Sequence, residues 1–169
     1  MTNRTRTAAP ATLDDPRLTA VGLLFEVAQA VECRLAKQLG EYGLSGVETG
    51  VVLRLARSPE RRLRMSDLAT QVELSASGLT RVVDRLETAG LVRREACSTD
   101  RRVTYAALTP EGLERVLALL PGHLQGIDCS FTGILDTDES AALMAALRKV
   151  RDVIRPGAVA GADADSVPA

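Results

Sequence analysis

Apolar residues recur at helical spacing through most of this chain, and the period changes in only one stretch. Leu18, Val21, Phe25, Ala28, Leu35 and Leu39 form a stripe that predicts a first long helix over 17–42, broken near Tyr42-Gly43. Ser45-Gly46-Val47-Glu48 has capping-box form, with Glu48 placed to reach back to the Ser45 amide, and opens a second helix ending before Ser58-Pro59. Ser66 and Asp67 open a short helix whose apolar positions are Leu68, Ala69 and Val72. Ser75 then caps another helix, in which Leu79, Val82, Val83 and Leu86 share one buried face and Gly90 supplies a left-handed stop. Here the period shifts: Leu91-Val92-Arg93-Arg94-Glu95 and Val103-Thr104-Tyr105-Ala106-Ala107-Leu108 read as two strands, the second alternating Val103, Tyr105 and Ala107 on one face.

Helical spacing resumes at Thr109-Pro110-Glu111, an N-cap, a first-turn proline and an acid at the positive end of the helix dipole. Leu113, Val116, Leu117, Leu120, Leu124, Ile127, Phe131 and Ile134 continue the stripe, with a kink expected at Pro121-Gly122. A last helix follows Asp136-Thr137-Asp138-Glu139, carries Leu143, Leu147, Val150 and Ile154, and ends at Pro156. The tails, 1–13 and 156–169, are rich in Ala, Gly, Pro, Thr and Asp and are expected to be disordered. The fold class is therefore mainly α with a small β-hairpin wing. One domain spans 14–155, with a winged helix-turn-helix over 46–110 and long flanking helices over 17–42 and 110–155. Those terminal stripes carry more apolar surface than a head of this size needs, which points to packing against a twin subunit, with an intrachain core as the alternative.

The helix after Ser75 has an unusual polar face made of Ser75, Ser77, Gly78, Thr80, Arg81, Asp84 and Arg85, smallest at its N-terminal end. Small residues there let a helix end enter the major groove of DNA. Arg81 is then long enough to reach base edges, and Arg85, a turn further back, suits a phosphate. Taken alone, the same face is an ordinary solvated surface. The next segment changes that balance, because its loop ends Asp100-Arg101-Arg102, and arginines at a hairpin tip suit a narrow minor groove or flanking phosphates. Asp100 is expected to accept from Arg102 and hold its guanidinium in a fixed direction.

Charge supports the same partner once it is located. The net charge is −1, yet 54–102 holds eleven arginines against seven acids, so the positive charge is local to the proposed reading head. With 46% hydrophobic residues and 169 positions, the chain can form one core, and no apolar run is long enough for a membrane span. No secretory signal follows Arg4 and Arg6, so a cytoplasmic location is expected. The single histidine, His123, has no nucleophile motif beside it and reads as a helix-surface or interface residue. No His, Cys or acidic pair has metal-ligand spacing, so neither enzymatic activity, a metal nor a cofactor is expected. Cys33, Cys97 and Cys129 are too few and too dispersed for a disulfide framework. Cys33 and Cys129 read as small apolar fillers. Cys97 lies near Arg93, Arg94 and Arg101, whose charge would favour the thiolate, and is either an incidental exposed thiol or a redox-responsive one.

Three runs together resemble the MarR family of bacterial winged-helix regulators. They are Asp67-Leu68-Ala69, then Val82-Val83-Asp84-Arg85-Leu86-Glu87 with Gly90-Leu91-Val92, and Asp100-Arg101-Arg102 with Leu108-Thr109-Pro110-Glu111-Gly112. The resemblance spans roughly Leu18 to Arg155. It implies a homodimer that places a recognition helix in the major groove and a wing in the minor groove of double-stranded DNA at an inverted-repeat operator. It further implies a repressor released by a small-molecule effector or by thiol oxidation. The DNA-contact set under this reading is Ser75, Ser77, Gly78, Thr80, Arg81, Arg85, Asp100, Arg101 and Arg102. A helical dimeric protein-interaction module without DNA contacts is the alternative.

Overall fold

A computed structural model describes residues 13–97 and 99–158. Helix α1 (Pro16–Glu41) leads through a turn at Gly43, whose φ of +70° only glycine adopts without strain, into α2 (Gly46–Arg57). After a short 3-10 turn come strand β1 (Arg62–Arg64), α3 (Met65–Gln71), α4 (Ala76–Thr88), β2 (Val92–Ala96) and β3 (Thr104–Leu108). Helices α5 (Pro110–Ser130) and α6 (Thr137–Ile154) complete the described chain.

The head is built around a three-stranded antiparallel sheet in the order β1-β3-β2. Strand β1 is absent from the sequence reading, because three residues of pattern Arg-Leu-Arg are too short to establish a period. Its presence corrects the expected face of β3. As the central strand, β3 is paired along both edges, and Ala106, Ala107 and Leu108 are buried consecutively instead of alternating. Leu63 of β1 joins Val51, Val52, Leu55, Leu68, Leu79, Val83, Leu86, Val92 and Leu119 in one core. Full burial of each such side chain stabilises the fold by ~1.5–3 kcal/mol.

Helix α5 docks by its first turn. Thr109 Oγ1 accepts from the Gly112 amide at 2.9 Å and donates to the Gly90 carbonyl at 2.6 Å. A Cβ on Gly112 would lie 2.1 Å from the Leu91 carbonyl oxygen, so only glycine allows this approach. Helix α5 continues through Pro121 to Ser130, and Thr132–Ile134 form a separate 3-10 turn, so the single stripe expected to reach Ile134 is divided.

Beyond the head, burial falls away. α6 buries none of its residues and α1 buries only Leu39. Leu18, Val21, Leu24 and Phe25 of α1, Leu117 and Leu124 of α5, and Leu147, Val150, Val153 and Ile154 of α6 are exposed. The terminal stripes are thus not covered by the described residues of their own chain. Cys33 and Cys129 are exposed among them and do not fill the core, which corrects their reading as fillers. His123 differs in the opposite direction: it is buried within the subunit, and burial pushes its pKa below the ordinary histidine value.

The sequence-based tails lie mostly outside the described residues. Pro156–Ala158, assigned to the C-terminal tail, instead fold against the head. Ala158 is buried, its carbonyl accepts from Arg54 Nη1 at 3.3 Å, and Arg155 Nη2 donates to the carbonyls of Thr70 and Gln71 at the end of α3. A cation there also complements the negative end of that helix.

Candidate nucleic-acid interface

Helix α4 begins as its sequence requires: Ser75 Oγ accepts from the Gly78 amide at 3.1 Å, and the apolar face Leu79, Val82, Val83 and Leu86 is buried. The helix-turn-helix corner depends on Glu73, whose φ of +59° turns the chain between α3 and α4. The opposite face of α4 points to solvent. Ser75, Ser77, Thr80, Arg81 and Arg85 are exposed and Gly78 is partly so, which gathers the expected contact residues on one surface. Asp100, Arg101 and Arg102 are exposed at the wing.

Pairing of charges sorts these arginines. Arg81 Nε makes only a long bond to the Ser77 carbonyl at 3.5 Å, and among the described residues neither Arg81, Arg101 nor Arg102 pairs with a carboxylate. Arg85 is different, because its Nε donates to Glu48 Oε1 at 2.7 Å. Its charge is already matched, so it is a weaker phosphate candidate than its spacing suggested. The acids on the rear of α4 are matched too. Arg94 Nη2 donates to Asp84 Oδ1 at 2.6 Å and to the Thr80 carbonyl at 3.3 Å, and Arg94 also pairs with Glu87. Arg94 therefore fastens β2 to α4, and Asp84 and Glu87 do not oppose an approaching polyanion at full charge. Sequence reasoning missed this residue, since nothing in the run Arg93-Arg94 distinguishes the one turned toward the helix.

The wing tip differs from expectation in one detail. Asp100 Oδ1 accepts from the Arg102 backbone amide at 2.9 Å and does not hold the guanidinium. Asp100 shapes the turn, as aspartates do two residues before an amide, and leaves the Arg102 head free. Cys97 beside it has its pKa lowered by the Thr99 hydroxyl, 3.2 Å from Sγ, and by the amides of Thr99 and Asp100. Of the three arginines expected to do this, Arg93 pairs with Glu95 and Arg94 with α4, and neither they nor Arg101 are among the groups that lower it.

Between α1, α2 and the head lies a cavity of about 560 Å³ whose lining includes Leu35, Val47, Thr49, Arg54 and His123. Thr49 Oγ1 and His123 Nδ1 are buried with no hydrogen-bond partner among the described residues. Burial first, and then the nearby charges of Arg155, Arg57 and Arg151, lower the pKa of Arg54. No group of three or more His, Cys, Asp or Glu among the described residues is arranged to hold a metal.

Comparison with known proteins agrees with this arrangement. A sequence model described as MarR family matches residues 42–103. AbsC, a MarR family transcriptional regulator from Streptomyces coelicolor, superposes with a TM-score of 0.80 at 33% identity, over 87% of this chain and 99% of that one. Sco3205, a MarR family regulator from the same organism solved in complex with DNA, gives 0.79 at 33% identity, over 92% and 96%. The HTH-type transcriptional regulator MhqR of Bacillus subtilis is 27% identical over 128 residues, 76% of this chain and 86% of the relative. Fold, exposed helix face and kinship agree: the chain belongs to the MarR family of transcriptional regulators, DNA-binding proteins of winged helix-turn-helix fold.

Proposed function

We propose that this chain is a homodimeric, ligand-responsive repressor that acts in the bacterial cytoplasm on an inverted-repeat operator. In this reading α4 enters the major groove by its N-terminal half, Arg81 reads a base edge, and the hairpin of β2 and β3 lays Arg101 and Arg102 on the minor groove. The observation that carries it is the distribution of uncompensated charge. Arginines without carboxylate partners stand at the entering end of α4 and at the wing tip, whereas the acids between them are neutralised by Arg94. A protein-interaction module would not need that separation, and it is not the favoured reading.

The dimer is supported by the exposed apolar residues of α1, α5 and α6, a surface of the kind that marks an interaction site. The effector is supported by the cavity beside α1 and α2, where Thr49 and His123 offer unpartnered polar atoms and Arg54 a half-buried positive charge. The repressor sense follows the family resemblance. Among the described residues no helix is long and apolar enough to cross a membrane.

Selection of bound fragments from a bacterial genomic library tests the operator. Two recognition helices related by a two-fold axis engage one face of B-DNA when their centres lie about 34 Å apart. The enriched fragments should therefore share an inverted repeat with half-site centres about ten base pairs apart. Enrichment of direct repeats or of no common sequence would overturn the reading.

A further inference from the structure

If a recognition helix occupies the major groove while a wing occupies the adjacent minor groove, one DNA backbone must cross the gap between them. The structure has a cleft at that place. It is bounded by Thr80 of α4 on one side, Arg102 and Thr104 of the wing on the other, and Arg64 and Ser66 at the junction of β1 with α3. We infer that this cleft seats a DNA backbone phosphate and that Arg64, outside the contact set read from the sequence, is its principal charge. The inference rests on the proposed DNA-binding mode.

Charge singles out Arg64 among the basic residues of its strand. Arg62, two positions earlier, pairs with Glu60 and Glu95 and stacks over the Tyr105 ring at 5.1 Å. Arg64 lies opposite Tyr105 in the sheet register, and its Nε donates to the Tyr105 hydroxyl at 3.5 Å. That bond uses one of five donors and directs the head, while among the described residues no carboxylate lies within ion-pair distance of its terminal nitrogens. Arg102, on the opposite wall, is also without a carboxylate partner among the described residues, so two guanidiniums outside ion pairs flank the cleft with the Thr104 hydroxyl, whereas the Ser66 hydroxyl already donates to Asp67 Oδ1 at 3.2 Å. Two forked cations and the Thr104 hydroxyl suit a phosphodiester, which presents two anionic oxygens and no donor. The remaining arginine in the cleft, Arg94, has its charge matched by Asp84 and Glu87 of α4 and serves as its wall.

The test uses the full-length protein and the operator fragment it selects. Each cation that neutralises a phosphate contributes ~0.9 to the slope of log K against log salt, so Arg64→Gln should reduce the slope by about that amount per subunit. Arg64→Lys, which restores a point charge without the fork, should recover most of the slope. A second arm replaces single phosphates of the operator by neutral methylphosphonates. One linkage in each half-site should weaken the wild-type protein by several-fold but leave Arg64→Gln unaffected. A variant with the wild-type slope, or with undiminished sensitivity at every methylphosphonate, would overturn the phosphate seat alone. If the wild-type protein bound no duplex in a salt-dependent way, the DNA-binding mode would fall with it.

Discussion

Removal of the Glu48 side chain tests how the second helix and the recognition helix are joined. Glu48 Oε2 accepts from the Ser45 amide at 2.9 Å and from the Ser45 hydroxyl at 2.7 Å, and Oε1 accepts from Arg85 Nε at 2.7 Å. Loss of the Glu48 half of the capping box costs up to about 1 kcal/mol, because the Ser45 hydroxyl still accepts from the backbone amide at position 48. Loss of the Arg85 pair adds less than ~1 kcal/mol, since the Arg85 side chain is 58% exposed and water screens it. Glu48→Ala should therefore destabilise the fold by about 1 kcal/mol and no more than about 2 kcal/mol, a drop of at most roughly 8 °C in the thermal midpoint. The pH dependence follows from the carboxyl itself. Burial favours its neutral form, but the bonds from Arg85 and Ser45 outweigh burial and hold its pKa below the ordinary value. A depressed carboxyl stabilises the fold above its unfolded pKa, and that stabilisation is lost as pH falls through the folded one. Melting at fixed protein concentration should show the full gap between wild type and variant at neutral pH and a narrower gap below about pH 4. Equal midpoints at neutral pH, or a gap that widens on acidification, would refute the reasoning.

Other substitutions report on separate parts of the molecule. Gly112→Ala places a methyl group against the Leu91 carbonyl and should cost ~1–3 kcal/mol, read as a lower urea midpoint; an unchanged midpoint would show that α5 docks differently. Arg102→Ala should weaken operator binding by about 1–3 kcal/mol per contact while the melting midpoint stays within a degree or so, because an exposed turn residue adds little to folding. Leu147→Asp puts a charge on the uncovered face of α6 and should yield a monomer by light scattering with its helix content intact, and tight operator binding should be lost with the dimer. A monomer that still bound the whole operator tightly would separate dimerisation from recognition.

The legible parts of the fold are those where local chemistry and tertiary contacts agree. Ser45, Ser75, Thr109 and Asp136 cap helices because each side chain meets an orphan amide of its own segment, an interaction written within four residues. The α4 stripe is legible for the same reason, its face being complete within thirteen residues. Strand β1 is not, because its identity comes from pairing with β3, more than forty positions away. The site divides along the same line. Exposure of Ser77, Arg81 and Arg102 follows from helix phase and loop position. Which arginines remain free follows from carboxylates brought in by other elements: Glu48 to Arg85, and Asp84 with Glu87 to Arg94. Spacing offers Arg85 as a phosphate contact and gives no sign of Arg64, and only the ion pairs reverse that order.

The central claim is that the exposed face of α4 reads DNA sequence through Arg81, and base preference measures it directly. Wild-type protein and Arg81→Ala would each be used to select duplexes from a randomised library at the same salt concentration, and the selected pools sequenced. A bidentate arginine discriminates among bases by about 1–3 kcal/mol, so the variant should lose preference at one position in each half-site and keep it elsewhere. Identical preferences for the two proteins, with affinity reduced uniformly or not at all, would contradict base reading by this helix face.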